Sequence, residues 1–321
     1  MISKDFPLVA SNQSFSHRTL AASITRSASA QTYYTIRFLV DHDMVLDAYR
    51  AYAYFRWVDD TLDTGSGSGS ERSAFLHRQK SLLGASYRGE FSRDVTVEEQ
   101  MLIELIRHDT EKNSGLQSYI RNMMSVMEFD AGRRGRLISR DELANYTRWL
   151  AVAVTEAMHY FIGHDSPSPH GEARYLAVTA AHITHMLRDT IDDVKAGYFN
   201  IPREFLKAHG IDARDVESEV YRKWVQQRVQ LARMYFETGK KNLSQVTSTR
   251  FRLAGFAYTA RFETVLNLIE RDNYHLRAEY SERKSLRSGM RMGLSVLSMV
   301  FNSSQRGKLP RALTDQLKGE R

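Results

Sequence analysis

Residues 52–63 read YAYFRWVDDTLD, and they decide the fold because they combine the spacing of a buried helix with several acidic side chains. The apolar residues recur at i, i+3 and i+4, which indicates an α-helix with one face in the core. Asp59 and Asp63 are four residues apart, so a helix places both carboxylates on one face, about 6 Å apart. This pairing predicts a ligand site, whereas the alternative is an ordinary solvated helix surface.

A second acidic segment strengthens the first interpretation. Residues 187–193 read LRDTIDD, so that Asp189 and Asp193 repeat the same spacing, and each segment carries an upstream arginine, Arg56 or Arg188. Carboxylate oxygens are the hard ligands that Mg²⁺ prefers, and arginine forks suit phosphate oxygens. The two segments together predict a site for a diphosphate compound and several Mg²⁺ ions.

The composition narrows the class of protein. The 321 residues are 42% hydrophobic and 26% charged with only 5 prolines, which is typical of a globular chain with long helices. The chain has 0 cysteines, which excludes disulfides, thiolate zinc sites, iron–sulfur clusters and a cysteine nucleophile. The net charge of +7 is spread along the chain without a stripe of basic and aromatic residues, so no nucleic-acid partner is expected. Anionic substrates or an anionic membrane surface account for the charge.

The localisation expected from the sequence is cytoplasmic. The first residues lack the basic and apolar regions of a signal peptide, and no stretch of 18 apolar residues occurs. Near the C-terminus, four basic residues between 283 and 291 precede an apolar run over 294–301. This order is compatible with peripheral membrane contact and with a terminal helix that packs on the rest of the protein.

Helical periodicity runs through most of the chain, whereas the alternation typical of strands is scarce. We therefore expect an all-α single domain in which helices enclose a deep apolar cavity with the acidic segments at its mouth. The glycine-serine run at 65–70 predicts a loop, Ser139 and Glu142 form the pattern of a capping box, and Pro202 suits the first turn of a short helix. The predicted helices cover about 44–62, 97–110, 116–131, 140–161, 172 through the second acidic segment, 213–242 and 249–280.

The first segment resembles the first aspartate-rich motif of the squalene/phytoene synthase family, the head-to-head trans-isoprenyl diphosphate synthases. The second segment, with GYFNIP at 197–202, is similar to that family's second motif. Between them, Arg136, residues 141–143 and Tyr146 match an intervening pattern of the family, and residues 31–33 occupy its N-terminal flap. The resemblance covers about residues 25–285, with 1–24 as an N-terminal extension and 286–321 as a C-terminal helix and tail.

The resemblance implies an isoprenoid-synthase-type helical bundle around a central apolar cavity. It also implies that two isoprenyl diphosphates, C15 or C20, are condensed through a cyclopropyl intermediate with release of diphosphate. By resemblance, the metal ligands for two or three Mg²⁺ ions are Asp59, Asp63, Asp189 and Asp193, and the diphosphate contacts are Arg56 and Arg188. The remaining substrate or cation-facing positions are Thr32, Tyr33, Tyr52, Tyr198 and Tyr274. Use of NADPH is left open.

This chain departs from the family pattern at four positions. His182 and His185 replace glutamine and asparagine, so His185 is expected to act as a nitrogen ligand, a hydrogen-bond donor or a base, against the alternative of a buried structural histidine. Val152 and Thr155 replace glycines, which would reshape the hydrocarbon pocket unless repacking compensates. Two alternative functions follow: cyclisation or water capture of a single diphosphate, and a non-catalytic interaction or assembly factor.

Overall fold

A computed structural model describes residues 19–64, 69–92, 94–164 and 166–280. Within these ranges the regular structure is helical throughout, which confirms the all-α expectation. The basic and apolar segment between 283 and 301 lies outside the described residues. The α-helices are α1 (19–28), α2 (Ala30–Leu39), α3 (Val45–Thr64), α4 (Gly69–Tyr87), α5 (Val97–His108), α6 (Gly115–Arg133), α7 (Arg140–Phe161), α8 (Leu176–Ala196), α9 (Arg203–His209), α10 (Glu219–Leu243) and α11 (Thr249–Arg271).

Most helix ends agree with the sequence signals, and the exceptions have local causes. The capping box is confirmed, because Ser139 accepts from the Glu142 amide and the Glu142 carboxylate accepts from the Ser139 amide. Helix α10 begins at Glu219, later than expected, because Ser218 caps it through the Tyr221 amide. Helix α11 ends at Arg271, before the expected end at 280, because the chain turns into left-handed backbone two residues later.

Three further boundaries differ from the prediction. Of the loop expected at 65–70, Gly69 and Ser70 belong to the first turn of α4, and 65–68 lie outside the described residues. Helix α6 continues through Arg133, so the break expected at 132–135 begins only after that residue. Pro202 is the N-cap of α9 and therefore lies just before the helix rather than within its first turn.

The chain divides into two compact units. The first comprises the described residues up to His164 together with Asp192–Asp215. In this unit α3 packs against α2, α5 and α6, and α6 and α7 pack along each other. The apolar stripe of α3 drives this arrangement, because Ala53, Tyr54 and Val58 are each 0% exposed.

The second unit comprises Asp165–Ile191 and the described residues from Val216 onward. Its helices include most of α8, together with α10 and α11, which bury Val229, Phe236 and Leu266. Helix α10 approaches the start of α8 very closely: a Cβ at Gly239 would lie 2.5 Å from the Ala177 amide nitrogen. Glycine is therefore required at this crossing.

None of the described helices is both long and apolar enough to cross a membrane. The expected organisation of residues 1–321 as one domain stays a prediction.

Candidate functional site

The first acidic segment lies at the C-terminal end of α3, within the first unit. Arg56 donates from Nε to Asp60 over 3.0 Å and from Nη1 to Asp59 over 3.4 Å, and a third N–H also reaches Asp60. The side chains of Arg56, Asp59 and Asp60 keep 42%, 38% and 48% of their surface exposed. The arginine expected to bind phosphate is therefore held by acidic residues of its own helix and stays accessible.

The electrostatics of Asp59 are unusual for a carboxyl on a helix. Burial, followed by the charge of Asp63, raises the pKa of Asp59 to about 6, although Arg56 opposes the shift. Asp130 and Asp60 raise this pKa further. The negative charges near Asp59 thus outweigh the neighbouring arginine, and a bound cation would relieve that imbalance.

Asp130, near the end of α6, is the member of this group that sequence reasoning missed. It accepts from Arg133 Nε over 2.6 Å and from the Tyr146 hydroxyl over 2.9 Å, and its side chain is 25% exposed. Burial raises the pKa of Asp130, and the nearby Asp63 charge adds to the effect. The i, i+3 spacing of Asp130 and Arg133 was the available signal, but the predicted helix ended just before Arg133.

The last carboxylate of the second acidic segment belongs to the same unit. Asp193 accepts from the Asn200 side chain over 2.8 Å, and its backbone carbonyl accepts from the Tyr198 amide over 2.7 Å. Asn200 in turn accepts from Arg133 over 2.8 Å. Burial raises the pKa of the Tyr198 phenol, and the charges of Asp63 and Asp130 contribute to that shift. Tyr198, a residue expected to contact substrate, therefore lies near Asp63 and Asp130.

Asp189, the i, i+4 partner of Asp193 in that segment, lies one turn earlier on α8 and belongs to the second unit. His185 Nε2 is 2.8 Å from Asp189, as expected for residues four apart on a helix, and Arg188 donates two hydrogen bonds to the same carboxylate. Burial opposes ionisation of Asp189, but the hydrogen bonds from Arg188 and His185 outweigh it and hold its pKa well below the usual range. His185 is 48% exposed, which leaves its ring accessible to a ligand.

Three further residues expected at the substrate site lie on two helices of the first unit, α2 and α3. Tyr52 lies one turn before Arg56 on α3, close enough to influence the pKa of that arginine. Thr32 donates to the Ser29 hydroxyl at the start of α2, and Tyr33 stacks on Tyr49 with ring centres 5.4 Å apart. These are contacts within the protein, and the substrate-binding role of the three residues stays a prediction.

The positions that depart from the family pattern differ in burial. On α7, Val152 is half-buried and Thr155 is 4% exposed, and the Thr155 hydroxyl has no hydrogen-bond partner in the described part of the chain. On α8, His182 is 5% exposed. Tyr274 follows α11 with a left-handed φ of 63°, a conformation that bulky residues rarely adopt.

Across the described ranges, no three histidine, aspartate or glutamate side chains converge closely enough to hold a metal ion. The carboxylates are present instead as pairs with arginine, asparagine or tyrosine partners. The assignment of Asp59, Asp63, Asp189 and Asp193 as metal ligands therefore stays a prediction.

Comparisons with known proteins identify the family and the fold. A family model described as squalene/phytoene synthase matches residues 25–288. A chloroplastic phytoene synthase from Daucus carota is 28% identical over 179 residues, which cover 52% of this chain and 44% of that protein. The chain thus spans less than half the length of this curated relative.

Two solved structures share the fold. The squalene synthase HpnC from Alicyclobacillus acidocaldarius superposes with a TM-score of 0.64 at 20% identity, covering 85% of this chain and 98% of that one. TcSQS in complex with a ligand gives a TM-score of 0.62 at 14% identity, covering 92% and 93% of the two chains. These similarities confirm an isoprenoid-synthase-type fold and favour neither the diverted reaction nor a non-catalytic role. Because the family model covers most of the sequence, the chain belongs to the squalene/phytoene synthase family.

Proposed function

We propose that this protein is a Mg²⁺-dependent prenyl transferase that condenses two allylic isoprenyl diphosphates head to head and releases diphosphate. The observation that supports this most directly is the burial of Asp59, which together with the negative charges of Asp63 and Asp130 raises its pKa to about 6. A cation would relieve the repulsion between these carboxylates, and a diphosphate substrate brings one with it.

The donor set fits Mg²⁺. Asp59 and Asp63 would supply hard oxygen ligands from α3, and Asp193 would supply one from the end of α8 in the same unit. Asp189 is proposed as a further ligand on the basis of the family resemblance alone. When bound, Mg²⁺ would neutralise the charge that develops on the leaving diphosphate. Two or three ions are proposed on the basis of the family resemblance.

The protein's own side chains would bind and orient the substrate. Arg56 and Arg188 each already point a guanidinium fork at a carboxylate, so a diphosphate oxygen could take the place of that carboxylate as acceptor. Tyr146 donates a hydrogen bond to the Asp130 carboxylate, which holds its phenol oxygen beside that residue. His185, whose Nε2 lies 2.8 Å from Asp189, would donate a hydrogen bond to the leaving group. Water must be excluded while the allylic cation exists, which requires an apolar cavity for the hydrocarbon.

The proposed partners are C15 or C20 isoprenyl diphosphates. Such substrates and their hydrocarbon products partition into lipid, so a peripheral contact with a membrane is part of the proposal. The proposed product is a squalene-like or phytoene-like hydrocarbon or its cyclopropyl precursor. NADPH would be consumed only if the enzyme reduces that precursor.

The test is product analysis. The purified chain is incubated with C15 or C20 diphosphate, with and without Mg²⁺ and NADPH, and lipid products are identified by mass spectrometry. A doubled carbon skeleton that requires Mg²⁺ is expected. Asp59→Asn should lower turnover by about 100-fold or more, whereas Glu237→Gln, a change at an exposed acid of α10, should not. Release of diphosphate with an unchanged skeleton would contradict head-to-head condensation.

A further inference from the structure

Arg133 is a charged residue that lies almost completely inside the first unit, with 5% of its surface exposed. Its guanidinium has two polar partners, one on the same helix and one far away in the sequence. Nε donates to Asp130 over 2.6 Å, and Nη1 donates to the Asn200 side chain over 2.8 Å. A buried cation with both a carboxylate and an amide acceptor is well compensated.

Aromatic rings surround the same guanidinium. Its central carbon lies 4.8 Å from the ring centre of Tyr146, 5.0 Å from that of Tyr198 and 5.6 Å from that of Phe129. Cations over aromatic faces are attracted by the ring quadrupole, and the effect is larger where water is excluded. The planar guanidinium is therefore held in one orientation, which a flexible lysine ammonium would not reproduce.

A backbone clamp fixes the segment that carries Asn200. The Gly135 amide donates to the Gly197 carbonyl over 2.7 Å, and Arg134 Nε donates to the Ala196 carbonyl over 3.2 Å. Gly197 has a φ of 88°, which favours glycine, and a Cβ there would lie 3.4 Å from the Gly135 nitrogen. The end of α6 and the end of α8 are thus tied together next to Asp193.

We propose that Arg133 is a positioning residue that holds two acidic side chains of the site in place, Asp130 directly and Asp193 through the side chain of Asn200. The Asn200 amide bridges the two, since it accepts from Arg133 and donates to Asp193 over 2.8 Å. Nothing in this arrangement requires Arg133 to touch the substrate.

The consequence is a defined direction for the Asp193 carboxylate. With one of its oxygens engaged by Asn200, the carboxylate has a restricted orientation. Outer partners of this kind orient metal-binding carboxylates, and their loss typically weakens metal affinity about 10–100-fold. This inference rests on the proposed function, because it assumes that Asp193 serves a cation and a diphosphate.

Two variants test the bridge. Asn200→Leu removes the amide while keeping a side chain of similar size, and Arg133→Lys keeps the charge but loses the fork. Complete removal of the charge would leave Asp130 uncompensated and could prevent folding, so it is avoided. The matched control is Arg107→Lys, because Arg107 also has an ion pair, with Glu104, and stacks over Phe91 at 4.0 Å.

The measurements are the melting temperature and the affinity for inorganic diphosphate in the presence of Mn²⁺, determined by calorimetry. We expect both variants to bind diphosphate about 10-fold more weakly or worse and the control to bind as the wild type does. The double variant should bind diphosphate as tightly as the single variant with the lower affinity, because both changes break the same connection from Arg133 through Asn200 to Asp193.

Wild-type affinity in Arg133→Lys and Asn200→Leu, whatever their melting temperatures, would overturn the positioning role. Fully additive losses would overturn the route through Asn200. If the wild type itself binds no diphosphate with Mn²⁺, the proposed function fails and the role of Arg133 fails with it.

Discussion

The carboxyl of Asp59 lies beside those of Asp63 and Asp130 in the folded chain, and burial together with their charge raises its pKa to about 6. In the unfolded chain the pKa of an aspartate is about 3.9. A carboxyl with a raised pKa in the folded state contributes stability that is fully present below the unfolded value and is lost as the pH rises through the folded value. Ionised Asp59 therefore weakens the folded state at neutral pH unless a cation is bound.

Asp59→Asn should accordingly raise the melting temperature at pH 8 in a chelating buffer, by about 2 °C. The difference should shrink as the pH falls from about 7 to about 4, because the wild-type carboxyl becomes protonated over that range. Differential scanning fluorimetry across this range checks both statements. A less stable Asp59→Asn at pH 8 would show that the crowding of carboxyls does not strain the folded chain.

Thr155 is a second residue whose local chemistry is unfavourable. Its hydroxyl is buried and has no hydrogen-bond partner among the described residues, whereas the buried hydroxyl of Thr184 donates to the Ala180 carbonyl over 2.8 Å. Thr155→Val should therefore stabilise the protein by about 1 kcal/mol, since it removes an unsatisfied polar group without changing shape. Thr184→Val is the matched control and should destabilise by a similar amount. Chemical denaturation gives both values, and loss of stability in Thr155→Val would indicate an unseen partner, such as bound water.

At the scale of helices, close crossings decide which positions accept a side chain. Gly239 of α10 lies so near α8 that a Cβ would be 2.5 Å from a backbone nitrogen, while a Cβ at Gly84 of α4 would only touch the Arg88 side chain at 3.4 Å. Both glycines lie within helices, where alanine is preferred by about 1 kcal/mol.

Gly239→Ala should therefore destabilise the protein by about 1–3 kcal/mol, because α10 and α8 must move apart. Gly84→Ala should instead stabilise it by up to about 1 kcal/mol. Urea denaturation of the two variants measures the difference directly. Equal effects would mean that the crossing at Ala177 relaxes without loss of packing.

At the scale of the whole molecule, the net charge of +7 favours binding of an anionic diphosphate. The same diphosphate would bind together with the cations of the predicted metal site. A ligand that binds only the folded chain stabilises it by about 2.7 kcal/mol at 100 times its dissociation constant. Mg²⁺ and diphosphate together should raise the melting temperature, and either alone should have a smaller effect.

Scanning calorimetry of this response also tests the domain organisation. If residues 25–285 form one domain, a single transition should shift as a whole when the ligand is added. Two transitions, of which only one responds, would show that the two compact units unfold separately. Glu237→Gln, an exposed change outside the family motifs, should respond as the wild type does.

Local patterns in the sequence determined the helical class, the capping box of α7 and the two acidic pairs, because helix periodicity and i, i+4 spacing depend only on neighbouring residues. The family resemblance was visible in the same motifs and is confirmed over residues 25–288. Less local signals were weaker: the end of α11 depends on left-handed backbone at Asn273 and Tyr274, which the apolar pattern does not reveal.

Only the tertiary structure decided how the acidic residues are supported. Arg133 and Asn200 are 67 positions apart, and Tyr146 reaches Asp130 from a different helix. The physical reason is that hydrogen bonds and charge effects act through space, so the Asp130 contribution to the pKa of Asp59 and the Arg133–Asn200 hydrogen bond link residues that no spacing rule connects.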